Sequence, residues 1–118
     1  MEFDVLFYDL PDGREPVREF LDSLDNKMRA KMLREISLLA VNGPALREPG
    51  SKSIGDGIFE LRAKVGSDIS RVLYFFFVGH RAILTNGFVK KAAKTPTAEI
   101  ERAKRYRAEY LGRKGDQQ

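Results

Sequence analysis

IFELRAKVGSDISRVLYFFFVGHRAILTNGFV, residues 58 to 89, decides the fold of this 118-residue chain. Its first segment, Ile58 to Val65, alternates: Phe59, Leu61, Ala63 and Val65 point to one face and Glu60, Arg62 and Lys64 to the other, which is a strand covered on one side. Gly66-Ser67-Asp68 supplies a turn. Ser70 to Val78 is apolar on both faces, as a central strand must be, and Gly79-His80-Arg81 turns into a third strand, Ala82 to Val89. His80 falls in that turn and reads as a surface residue. Short connections between three successive strands predict an antiparallel meander.

Upstream, VLFYDL followed by Pro11-Asp12-Gly13 predicts a strand over residues 3–9. Pro16 suits a first helical turn, and Val17, Phe20, Leu21 and Leu24 recur at helical spacing. Asp25 caps a second helix whose apolar stripe is Met28, Met32, Ile36 and Leu39, widened by Leu33 and Ala40; Asn42-Gly43-Pro44 stops it. The methionines and leucines read as core packing. The two helices form an expected antiparallel hairpin. Residues 43–57, rich in glycine and proline, read as a loop with Lys52 its foremost contact residue.

Downstream, Thr95 and Pro96 are expected as N-cap and first-turn residues of a last helix, with Ile100, Ala103, Tyr106 or Arg107, and Tyr110 facing inward. Residues from about 112 to 118 read as a polar tail. The predicted order is β-α-α-β-β-β-α: one α+β domain over residues 1–118, with a small, mostly antiparallel sheet, an N-terminal helical hairpin and a C-terminal helix.

Composition narrows the chemistry. There is no cysteine and one histidine, so disulfides, thiolate catalysis and a histidine metal cluster are excluded, and no metal or cofactor is expected. No apolar run reaches the ~20 residues that span a bilayer, and the acidic N-terminus is unlike a signal peptide, so the expected location is the cytoplasm. Residues 1–60 carry 8 Lys+Arg against 12 Asp+Glu, and residues 61–118 carry 13 against 5. Either the C-terminal half meets a polyanion, or the two halves neutralise each other within the fold.

Arg71 sharpens the first possibility. A guanidinium in an otherwise apolar strand needs an anionic or hydrogen-bonding partner. That partner is Glu60 across the hairpin or a bound anion, and antiparallel pairing brings Arg62 alongside Arg71. The third strand then runs into GFVKKAAKTP, which gathers Lys90, Lys91 and Lys94 at the start of a helix, where unpaired N–H groups also favour anions. Arg62, Lys64, Arg71, Lys90, Lys91 and Lys94 are therefore expected to line one patch suited to a phosphate backbone. Phe88 and Tyr74 offer stacking faces for bases, although Tyr74 reads better as core and Phe88 fits either role.

The motifs F-E-L-R, R-V-L-Y and G-F-x-K-K-x-x-x-T-P, in this order and spacing, together with FYDLPDGREPVREFLDSL upstream, resemble the HigB branch of the RelE/ParE toxin superfamily. These are phage-derived HigB-like proteins of type II toxin–antitoxin modules, and the resemblance covers nearly the whole chain. It implies a RelE-like fold and a ribosome-dependent mRNA endoribonuclease (mRNA interferase) that cuts in the ribosomal A site without a metal, by attack of a ribose 2′-OH on the adjacent phosphate. It implies Arg71, Lys90 and Lys91 as catalytic residues, Arg62, Lys64, Phe88 and Lys94 as RNA-binding residues and Glu60 in support. A cognate antitoxin, a HigA-like helix-turn-helix protein, is the implied partner, with operator DNA bound only through the antitoxin complex. Asn86 stands where many relatives carry histidine before Gly-Phe, so a histidine acid or base is not expected. The rival readings are a ParE-like gyrase inhibitor and a non-catalytic RNA-binding module.

Overall fold

The computed structural model describes residues 3–90 and 94–115. The elements run β1 (Asp4–Phe7), α1 (Pro16–Ser23), α2 (Asn26–Asn42), a 3-10 turn (Gly43–Ala45), β2 (Ser51–Gly55), β3 (Ile58–Val65), β4 (Asp68–Phe77), β5 (Arg81–Lys90) and α3 (Thr97–Gly115). One five-stranded sheet has the order β1-β5-β4-β3-β2. β1 runs parallel to β5, and every other pairing is antiparallel. The α+β architecture agrees with a RelE-like fold.

Each face of the sheet has its own core. On one side α1 and α2 bury Val17, Leu21, Met28, Met32 and Leu39 against Leu61, Val72, Tyr74 and Leu84. On the other, Ala103 and Tyr110 of α3 pack with Tyr8 over Ile58, Leu73, Phe75 and Ile83. β4 thus has apolar cover on both faces, which explains why its sequence lacks alternation.

Local chemistry sets the boundaries. Asp25 Oδ1 accepts from the Met28 N–H at 2.8 Å, the N-cap of α2. Arg29 reaches back to the last turn of α1, donating from Nε to the Leu21 carbonyl (2.8 Å) and from Nη2 to that of Leu24 (2.7 Å). These bonds satisfy carbonyls that a helix end leaves open. Val65 pairs with Asp68 across a two-residue turn, with Gly66 at φ 61°.

Several expectations are corrected. Residues 51–55, expected within a loop, form the edge strand β2, because β3 offers a ladder that outweighs a glycine-rich local sequence. Leu33 is 44% exposed and lies outside the stripe of α2. α3 starts at Thr97, with the Pro96 carbonyl accepting from Ile100, so Thr95 is not its N-cap. The helix also continues through Gly115 where a tail was expected, held by Arg113, which donates to Glu109 (2.7 Å) and to the Asp9 carbonyl (2.9 Å).

Candidate functional site

The α3 face of the sheet holds the charged cluster, and strand register decides its members. Arg62 on β3 pairs with Arg71 on β4, which pairs with Phe88 on β5. Two positions along, on the same face, Glu60 pairs with Leu73 and Leu73 with Asn86. Like charges directly opposite repel. Glu60 relieves that repulsion: its Oε1 accepts from Arg62 Nε at 2.6 Å, and its Oε2 lies 3.8 Å from Arg71 Nη1.

Glu60 and Arg71 are wholly buried, whereas the Arg62 side chain keeps 26% of its exposure. Burial of a charge is tolerated when it is paired and hydrogen-bonded. Glu60 gains a further donor from the Thr95 hydroxyl, which bonds Oε2 and ties the chain entering α3 to the middle of the sheet. Thr95 therefore serves the carboxylate in place of the helix cap. The sequence signal was the Lys94-Thr95-Pro96 tripeptide, whose threonine suits either role.

A bulge completes the arrangement. Leu73 pairs with Asn86 while Tyr74 pairs with Leu84, leaving Thr85 as an extra residue on β5. Such an insertion reverses the alternation beyond it. Ala82 and Leu84 face the helical hairpin, yet Asn86 and Phe88 face α3. Asn86 Nδ2 donates to the carbonyl and side chain of Glu99, at 3.2 and 3.0 Å, joining β5 to the first turn of α3. Asn86 thus fills a structural role at the position where a histidine was absent.

The other expected site residues divide clearly. Lys64 and Lys94 are exposed, and Lys64 shares the Ile69 row with the backbone of Lys90. Lys91 lies outside the described residues. Phe88 is half-buried in the cluster that α3 covers, directly across from Arg71. Tyr74 is core, on the opposite face from Arg71; its hydroxyl meets Ser51 Oγ, and burial raises its pKa above the usual tyrosine value. His80 is an exposed turn residue at φ 64°. Lys52 is exposed on the edge strand.

For α3 the neutralising reading of the two charged halves holds. Lys104 pairs with Asp56 at 2.8 Å, Arg107 donates to the Asp56 carbonyl, and Arg113 meets Asp9 at 3.3 Å. Hydrogen bonding to Lys104 holds the Asp56 carboxyl below its ordinary range. The cations on the helix are thus largely engaged, while Arg62 and Lys64 on the sheet face outward in part. Two guanidiniums thus flank one buried carboxylate, that of Arg62 partly exposed and that of Arg71 wholly buried.

The mixed five-stranded sheet with its helices on both faces is consistent with the α+β fold of a small RelE/ParE-like protein. The family described as "Phage derived protein Gp49-like (DUF891)" matches residues 19–108, and the chain belongs to that family, a RelE/ParE-like toxin type associated with toxin–antitoxin systems. An antitoxin partner in general goes with such a family. No curated protein matches the chain significantly. Among the described residues no helix is long and apolar enough to cross a membrane.

Proposed function

We propose that this protein is the toxin of a HigB-like type II module and cuts mRNA in the ribosomal A site. The observation that carries the reading is the single cross-strand row Arg62, Arg71 and Phe88, with Glu60 fixing both guanidiniums. Arg71 stabilises charge on the scissile phosphate, Lys90 or Lys91 neutralises developing charge or transfers a proton, and Lys64 and Lys94 hold the backbone. Phe88 stacks on a base. The reaction is attack of a ribose 2′-OH on the adjacent phosphate, releasing the 5′-oxygen of the next nucleotide and leaving a 2′,3′-cyclic phosphate. It needs no metal, because fixed cations supply the electrostatic stabilisation.

Arg71 is buried in the free protein, so the reading requires that the substrate complex expose its guanidinium. Alignment of the strand by the ribosome supplies the binding energy for that step and much of the barrier reduction. A HigA-like helix-turn-helix antitoxin is the proposed inhibitor, and operator DNA is bound only through the complex with it. The cytoplasm is the proposed site of action.

The burial of Arg71 also favours a second reading, a non-catalytic RNA-binding module in which the Arg71-Glu60 pair only supports Arg62. Growth assays separate the two. Charge reversal at Lys91 is expected to abolish toxicity and mRNA cleavage in cells while leaving the protein folded and antitoxin-binding. Toxicity at the wild-type level in that folded variant, without cleavage products in either strain, would support the binding module.

A further inference from the structure

We infer that the groove between α2 and the end of β3 is a second phosphate site, which carries an RNA strand past the Arg62-Arg71 cluster. The inference rests on the reading that the substrate is RNA. The groove has a volume of about 410 Å³, and its lining includes Lys31 and Arg34 of α2, Arg62 and Lys64 of β3, and one carboxylate, Glu35.

Three observations point to a polyanion. First, part of the charge here is unspent: the Arg34 side chain is exposed and makes no hydrogen bond or ion pair with another described residue, whereas α3 directs cations to Asp56, Asp9, Glu99 and Glu109. Second, the groove is built. Lys31 Nζ donates to the Lys64 carbonyl at 2.9 Å, fixing α2 to the strand and leaving further ammonium hydrogens to donate. Third, it adjoins the cluster, because Arg62, whose side chain holds Glu60 on the α3 face, also borders the groove. Lys64 lies two residues farther along the strand, about 7 Å, a spacing comparable to one step of an extended phosphodiester chain. Arg34 adds a planar fork suited to phosphate oxygens.

The test uses the full chain and a single-stranded, 2′-O-methylated RNA that cannot be cleaved, followed by fluorescence anisotropy over a range of salt concentrations. Arg34→Glu is expected to weaken binding about tenfold and to lower the salt slope by about one unit. Arg14→Glu, the same charge change in the loop after β1, is expected to bind as wild type. Equal losses in both variants would overturn the proposal, since they would reflect net charge alone. Wild-type RNA affinity in Arg34→Glu with inhibition by antitoxin lost would also overturn it, assigning the groove to an acidic peptide. Because the RNA is uncleavable, an affinity loss confined to Arg34→Glu would uphold the groove even if the wild type cut no mRNA.

The chain has no cysteine, so Arg34→Cys accepts a single thiol-linked photocrosslinker. On translating ribosomes, a crosslink to messenger identifies the bound strand as substrate, and one to ribosomal RNA identifies it as the docking site. A crosslink to neither RNA would overturn the proposal.

Discussion

Arg71 and Glu60 form an ion pair with both side chains at zero exposure, Nη1 lying 3.8 Å from Oε2. Removal of one partner leaves a buried charge short of compensation, at a cost of about 3–5 kcal/mol. Glu60→Ala and Arg71→Ala are each predicted to lose roughly that much stability. The Glu60→Leu, Arg71→Met double variant should recover most of it, because burying neither charge removes the desolvation penalty. Urea unfolding of the singles and the double checks this, and additive losses in the double would contradict it.

Thr95 donates its hydroxyl to the same carboxylate. Thr95→Val keeps the shape and removes the donor, with a predicted loss of about 1–3 kcal/mol, whereas Thr95→Ser should stay near wild type. Hydrogen exchange adds a local readout: amides in the first turn of α3 should lose protection in Thr95→Val and keep it in Thr95→Ser. Unchanged protection in both variants would remove Thr95 as the tie between helix and sheet.

Gly87 lies under the ring of Phe20, and a Cβ added there would overlap that ring. Gly87→Ala is therefore predicted to destabilise by about 1–3 kcal/mol through overpacking. Pairing it with Phe20→Leu should restore part of the loss. Thermal unfolding of the single and double variants tests the compensation, and Gly87→Ala alone melting as wild type would refute the close approach.

Tyr8 is held by burial first, then by its hydrogen bond to Glu109 at 2.8 Å, and its pKa rises above the ordinary value of 10.0. Because the folded state favours the protonated phenol, this contribution is fully present below pH 10 and is lost as pH climbs through the raised value. Stability should fall on the alkaline side, and Tyr8→Phe should flatten that fall. Unfolding midpoints measured on both sides of pH 10 in the two proteins provide the comparison; parallel pH profiles would contradict the assignment.

Much of the architecture was legible because each face of β3 has a distinct chemistry, and because the short turns at Gly66 and Gly79 force antiparallel neighbours. Register then placed Arg62 opposite Arg71, with Glu60 close by, as strand pairing predicts. β2 was hidden: Ser51 to Gly55 has little strand preference of its own and forms only because β3 presents a free edge. The bulge at Thr85 was hidden too. Simple alternation from Ala82 and Leu84 would send Asn86 and Phe88 to the hairpin face, and the extra residue shows itself only when β5 is paired with β4. Thr95 suits a helix cap in isolation, and it takes its actual role from a carboxylate 35 residues away in sequence. The basic groove has no signature in the sequence, because Lys31 and Arg34 lie on the polar side of an amphipathic helix and only the packing of α2 sets them beside Lys64.

The central claim is ribosome-dependent RNA cleavage by a cationic site, and 5′-end mapping of a defined mRNA in a purified translation system tests it most directly. Wild type, Arg71→Ala and Lys91→Ala would be compared with and without ribosomes, each variant first checked for folding by circular dichroism. The account predicts cuts by wild type only when ribosomes are present, and their loss in both variants; Lys91→Ala keeps the test decisive if Arg71→Ala is too unstable to fold. Absence of cuts by wild type under every condition, or undiminished cuts in the folded variants, would contradict it.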